Sequence, residues 1–413
     1  VDKALRCHFR RSLVALLLLV YPLQGVVEVG IDRFFVEGYD RALEGKRVGL
    51  ITNQTGVNSK LESTLSLLER SPHLKLVALF SPEHGLTGVH AAGEKVADSH
   101  HRAIPVYSLH GATKRPTQEM LTGLDCLIYD IQDSGARSYT YASTLFYVME
   151  EAAKCGLPLM VLDRPNPAGG SVVDGPMLED QRSFLGYLNV PYCHGMTMGE
   201  LALFFNQEYK IGCKLTVVPM HGYHRSMIFA DTGLTWIPTS PHMPESDTPL
   251  YSLMTGILGE LSLVSIGVGY TLPFKVVGAP WIDANQYAAK LAAQNFPGVA
   301  FLPFHFRPFY GLYKGEECHG VRIVVTDAQR CHPVSVYCLL LGMLKSLYPK
   351  EVNSLLKATP DSKRKLYTQV IGSSHEWQLL IDEPLLTWKL IERHKKSREG
   401  FLDKRKRYLL YPD

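Results

Sequence analysis

The chain has 413 residues, 46% of them hydrophobic and 20% charged, an ordinary globular balance with length for two domains of roughly 150 residues each. A formal net charge of +3 is too small to argue for a nucleic-acid-binding surface, so nucleic acid is not expected as a partner. Eight cysteines without close, regular spacing do not describe a disulfide framework. Cys318-His319 and Cys331-His332 lack the Cys-x-x-Cys that would complete a zinc motif, so packed or unpaired cysteines are expected.

The first 25 residues read as a signal peptide. Lys3, Arg6, Arg10 and Arg11 precede an apolar run from Ser12 to Tyr21. That run falls short of the ~20 residues that span a bilayer, and Gly25 supplies a small residue at the cleavage point. The mature protein is therefore expected to begin near Val26, to be exported to the periplasm or beyond, and to keep no stable membrane span.

From Lys46 to Pro167 strand-like and helix-like periods alternate. Apolar runs at 48–51, 74–80, 124–129 and 159–162 predict strands. Leu61, Leu65 and Leu68 predict one helical face, and Leu145, Val148, Met149 and Ala152 another. This alternation predicts an α/β fold, a Rossmann-like, mostly parallel sheet with helices on its faces. Ligands of such sheets bind in the crevice beyond the carboxyl ends of the strands, where all four predicted strands carry polar clusters. Neither a Gly-x-Gly-x-x-Gly after the first strand nor a phosphate-binding Gly-rich loop occurs, which argues against a nucleotide. A Gly-x-Ser-x-Gly nucleophile elbow is also missing.

After Pro167 the pattern changes. Thr197 and Glu200 form a capping box that opens a helix towards Asn206, and 215–219 reads as a strand. Prolines 238, 241, 244 and 249 bar regular structure from 236–249. A helix is expected near Asp283, a strand over 321–325 and a helix over 334–347. The basic stretch 389–407 reads as a solvated helix face. A domain boundary is placed near residue 205, giving domains of 26–205 and 206–413, the second an α+β unit.

Three clusters carry chemistry. Pro82 and Gly85 bracket Glu83 and His84 in a tight turn at a strand tip, where a partly desolvated carboxyl can have the raised pKa of a general acid; a solvated loop carboxylate is the plainer alternative. In the second cluster Asp130, Asp133, Arg137, Tyr139 and Tyr141 fall within twelve residues. That set suits a sugar with an acidic substituent, Arg137 pairing with its carboxylate and the tyrosines covering sugar faces. Equally, an Asp–Arg pair can serve only to fix the turn. Asp163, Arg164 and Asn166 form a third cluster with the same two readings.

In order along the chain, Ser-Pro-Glu83-His84-Gly, the 130–141 cluster, Asp163-Arg-Pro-Asn-Pro, His194-Gly-Met-Thr197-x-Gly-Glu200-Leu and Gly278-Ala-Pro-Trp281-Ile-Asp283 resemble the motifs of the NamZ-type exo-β-N-acetylmuramidases, with the likeness running from about Gly30 to the C-terminus. The resemblance implies a Rossmann-like domain, a second domain closing a cleft, and release of N-acetylmuramic acid from the non-reducing end of peptidoglycan fragments. It makes Glu83 the catalytic carboxylate. Asp133 or Asp130 would be base, nucleophile or stabiliser, unless the 2-acetamido group of the substrate takes that part. Asn53, His84, Arg137, Tyr139, Tyr141, Asp163, Arg164, Asn166 and His194 would bind the amino-sugar glycoside. No metal or organic cofactor is implied. Three positions depart from the pattern. Val268 stands where the family has arginine, Leu263 where it has asparagine, and His242 where asparagine is usual. A glycan-binding protein that has lost catalysis is the alternative these departures raise.

Overall fold

A computed structural model describes residues 25–413. The expected leader lies outside the described residues except for Gly25. Seven strands form one sheet: β1 (Arg47–Thr52), β2 (Lys75–Ser81), β3 (Ser99–His101), β4 (Ile104–Ser108), β5 (Cys126–Asp130), β6 (Pro158–Leu162) and β7 (Lys214–Val218). Their order is β3-β4-β2-β1-β5-β6-β7, and every pairing is parallel except β3 with β4. After β1 the chain builds outward through β2 to β4, then crosses to β5 on the other side of β1. That reversal opens the crevice at the carboxyl ends, and the polar clusters after β1, β2, β5 and β6 all emerge there.

One sheet face is covered by α1 (Gly30–Val36) and α2 (Thr64–Arg70), whose Phe34 and Leu68 join Val48, Leu50 and Ile128 in the core. The short α3 (Gln118–Leu121), α4 (Thr140–Cys155) and α5 (Met198–Glu208) cover the other, with Leu145, Met149 and Phe205 against Ile51, Leu127 and Val161. The capping box of α5 forms as read: Thr197 Oγ1 accepts from the Glu200 amide at 3.2 Å and Glu200 Oε2 from the Thr197 amide at 3.0 Å. Leu61 does not join the α2 face. It precedes the helix with a left-handed φ of 66° and is exposed.

The boundary expected near 205 falls inside α5. Because β7 pairs with β6, the large sheet continues to Val218. The second domain follows as α6 (Thr248–Glu260), β8 (Val276–Ala279), α7 (Ala284–Ala292), β9 (Val299–Phe306), β10 (Cys318–Val325) and α8 (Pro333–Leu347). Its antiparallel sheet has the order β8-β10-β9. The helices α9 (Pro349–Ala358), α10 (Asp361–Ile371), α11 (Ser374–Asp382), α12 (Thr387–Arg393) and α13 (Lys395–Arg405) complete the chain.

The basic tail is more than a solvated face. Phe401 and Tyr408 pack into the first domain's core. Arg405, only 7% exposed, donates to the carbonyls of Gly170, His194 and Gly195. The C-terminus thus returns to strap the first domain. All seven cysteines among the described residues are free, and only Cys155 is exposed.

Candidate active site

Between the two domains lies a cavity of about 860 Å³, lined from one side by Glu83, His84, His110, Lys114 and Tyr139 and from the other by His242, Glu260 and Val268. Its size suits a ligand of one or two sugar units. Glu83 enters it on a β-turn directly after β2. The Gly85 amide donates to the Pro82 carbonyl at 3.1 Å, and His84 takes a φ of 71° that glycine usually fills. A strained non-glycine residue at this point is the kind of outlier that functional sites retain. His84 is held by its Nδ1, 2.7 Å from the His90 carbonyl. A carbonyl only accepts, so Nδ1 carries the proton and Nε2 is the nitrogen left for a ligand.

The Glu83 carboxylate is buried and directionally held. Oε1 accepts from the Gly93 amide at 2.7 Å, Oε2 accepts from Thr140 Oγ1 at 2.6 Å, and His110 Nε2 stands 3.6 Å from Oε1. Thr140 is the first residue of α4, so the positive end of that helix also faces the carboxylate. Burial pushes the Glu83 pKa up, but the bonds from Thr140 and Gly93 and the nearby imidazoles of His110 and His84 outweigh it. The net shift is downward. The raised value expected for a general acid is therefore not that of the free protein, in which Glu83 is ionised.

Of the expected site residues, Glu83, His84 and Tyr139 line the cavity. The others form the scaffold beneath it. Asp130 is fully buried, taking Arg164 Nε and Nη2 at 2.5 and 2.9 Å and the hydroxyl of Thr64. This is the turn-fixing Asp–Arg pair, made with Arg164. The expected anion-binding role of Arg137 is not available to its guanidinium, which lies 3% exposed. It donates to the carbonyls of Pro176, Val190 and Ile371 at 2.7, 2.8 and 2.5 Å. Asp133 caps its own turn by accepting from the Gly135 amide at 2.8 Å, and burial raises its pKa to about 7. Asn53 closes a turn on Thr55, and Tyr141 donates to the Thr239 carbonyl at 2.6 Å. Asp163 accepts from Thr197, Gly199 and Tyr411. Asn166 bridges Met196 and Ala168. His194 accepts from the Met196 amide, and burial lowers its pKa to about 3.

Several cavity residues were not singled out from the sequence. His110 and Lys114 follow β4, a strand that Pro105 disguises. Lys114 places its ammonium 4.0 Å above the Phe184 ring, where burial lowers its pKa and Glu83 works the other way. Glu260 ends α6, and burial raises its pKa. The only signal for it was its place beside the divergent Leu261–Leu263 stretch. Of the departures, Val268 and His242 face the cavity, while Leu263 is buried outside its wall.

A carboxylate ringed by imidazoles, in a sugar-sized cleft between a Rossmann-like sheet and a second domain, defines an α/β protein equipped for acid–base chemistry on a glycan. Comparison with known proteins narrows that class. The family model described as exo-beta-N-acetylmuramidase NamZ, N-terminal, matches residues 48–247, and its C-terminal counterpart matches 250–411. The chain belongs to the NamZ family. It is 40% identical over 389 residues to the peptidoglycan beta-N-acetylmuramidase NamZ of Bacillus subtilis (strain 168), covering 93% of this chain and 91% of that protein. A DUF1343 family protein from Bacteroides fragilis NCTC 9343 superposes with a TM-score of 0.87 at 39% identity, covering 93% of this chain and 99% of that one. A second from the same organism gives 0.68 at 26% identity, with 94% and 100% covered.

Proposed function

We propose that the protein is an exo-acting glycoside hydrolase that releases N-acetylmuramic acid from the non-reducing end of peptidoglycan fragments, and that it works outside the cytoplasm. The observation that carries the reading is Glu83, fixed by Thr140 and Gly93 on the wall of the inter-domain cavity in a chain of this family. In the free protein Glu83 is ionised. A sugar filling the cavity expels water from around the carboxyl and adds to the burial that already opposes ionisation. Glu83 then takes up the proton it delivers to the leaving oxygen.

Asp130 and Asp133 lie off the cavity, so the second role falls to Glu260 on the facing wall or to the substrate's own acetamido group. In the free protein burial raises Glu260 while hydrogen bonds lower Glu83, so these roles require substrate binding to raise Glu83 and leave Glu260 ionised. Lys114 supplies a cation for the lactyl carboxylate of muramic acid in place of the missing arginine at Val268.

The test is a panel of chromogenic β-glycosides of N-acetylmuramic acid, N-acetylglucosamine and glucose. Turnover of the muramide well above the other two is expected, and Lys114→Ala should weaken that preference. Preferential cleavage of the glucosaminide would overturn the substrate assignment. Saturable binding of the muramide without turnover would make the chain a glycan-binding protein.

A further inference from the structure

On the solvent side of the second domain, His305 and His319 stand directly opposite each other on β9 and β10. Their Nδ1 atoms are 2.7 Å apart, and the rings meet edge to face. Glu317, two residues before His319, brings a carboxylate oxygen to the same point, so that all three donor atoms fall within 4.8 Å of one another. The neighbouring Cys318 takes no part, because strand alternation turns it into the core with Phe306. Cys318 is packed and unpaired, as expected from the sequence, and the neighbour of His319 is its cross-strand partner His305.

A contact between two Nδ1 atoms makes one nitrogen the donor and the other the acceptor of a single hydrogen bond. A divalent cation would satisfy both nitrogens at once. We propose that His305, Glu317 and His319 form a binding site for a borderline divalent transition-metal ion of the zinc type, with water in the remaining position. Two imidazoles and one carboxylate are a recognised zinc ligand set, and imidazole nitrogens exclude magnesium and calcium as the preferred occupants. Tetrahedral bonds of about 2.05 Å put two nitrogens roughly 3.3 Å apart, so the rings need open by only about half an ångström. Glu317 is free to move: its contact with Arg307 is long, at 3.8 Å, and both side chains are more than half exposed.

The position of the site gives it a consequence. His305 is the penultimate residue of β9, and Glu317 ends the 307–317 connection between β9 and β10. That connection carries Gly311 and Leu312 on the cavity wall and Tyr310, whose hydroxyl is 2.9 Å from Nε2 of His242. An ion held at the base ties together both ends of a loop whose tip borders the cavity. The proposal does not depend on which glycoside is cleaved.

The experiment is calorimetric titration of the whole chain with zinc chloride in a non-coordinating buffer, with magnesium chloride as control. One equivalent of zinc should bind at micromolar concentration, and magnesium should give no saturable binding. His305→Ala and His319→Ala, both at surface positions, should each weaken zinc binding by about tenfold or more while leaving the melting temperature without metal unchanged. Bound zinc should also slow tryptic cleavage after Lys314 in the wild type and not in either variant. No saturable binding, or wild-type affinity in both variants, would overturn the site. Unchanged cleavage after Lys314 with zinc bound would overturn the loop staple.

Discussion

At the residue scale, the carboxyls at the strand ends do opposite jobs in closely similar surroundings. Glu83 is buried, yet two hydrogen bonds and two nearby imidazoles keep it charged. Asp133 is also buried but has only backbone amides to support its charge, and its pKa is raised to about 7. A carboxyl that holds its proton more tightly folded than unfolded favours the folded state below its unfolded pKa of about 4. That contribution is lost as pH rises through about 7. Asp133→Asn keeps an oxygen for the Gly135 amide and removes the charge. The variant is expected to melt several degrees above wild type at pH 8, with the gap narrowing below pH 7 and closing only below about pH 4. Thermal melts across that range check it; a variant less stable than wild type at pH 8 would show that the ionised form of Asp133 is used in the fold.

At the scale of elements, segments distant in sequence are held together by cations spent on carbonyls. Arg137, just ahead of α4, ties the 176–190 segment to the end of α10. Arg137→Ala leaves these buried carbonyls without donors and should cost at least about 3 kcal/mol, read as a lower urea midpoint. Unchanged stability with weakened ligand binding would restore the anion-binding role read from the sequence. Strands β1, β2, β5 and β6 of the parallel sheet were legible because each is a short apolar run closed by polar residues. So was the α5 cap, because Thr197 and Glu200 are a purely local signal. β3, β4, β8 and β9 were not read: they are short, edge or amphipathic strands, and Pro105 and Pro303 break the apolar pattern of β4 and β9. α6 was hidden by the prolines before it, although Pro249 sits in its first turn, where a missing amide costs nothing.

The same distinction governs the site. The sequence clusters lie at the crevice, and of them Glu83, His84 and Tyr139 line the cavity. They do not say which members of a polar cluster face the ligand and which hold the turn. Asp130, Arg164 and Asp163 are as polar as Glu83, and all three are consumed by hydrogen bonds inside the fold. Arg137 looked like an anion receptor because its carbonyl partners come from residues up to 234 positions away, which no local pattern reports.

At the scale of the whole molecule, the cavity exists only because two domains meet. Glu83, His84, His110 and Lys114 come from the parallel-sheet domain, and His242, Glu260 and Val268 from beyond it. The strap from α13 to Tyr411 fixes the chain's end to Asp163 beneath the crevice. On the proposed reading, catalysis by this assembly turns on one proton at Glu83. The most direct measurement is the rate at which N-acetylmuramic acid is released from a chromogenic N-acetylmuramide by wild type and by Glu83→Gln, alongside the melting temperature of each. Glutamine can still accept from the Gly93 amide through its one oxygen and donate its amide N–H to the Thr140 hydroxyl oxygen, but has no acidic proton to give. A fall of ~10²–10⁴-fold in kcat with little change in melting temperature is expected. An active wild type matched by a Glu83→Gln variant that keeps most of its activity would contradict the account.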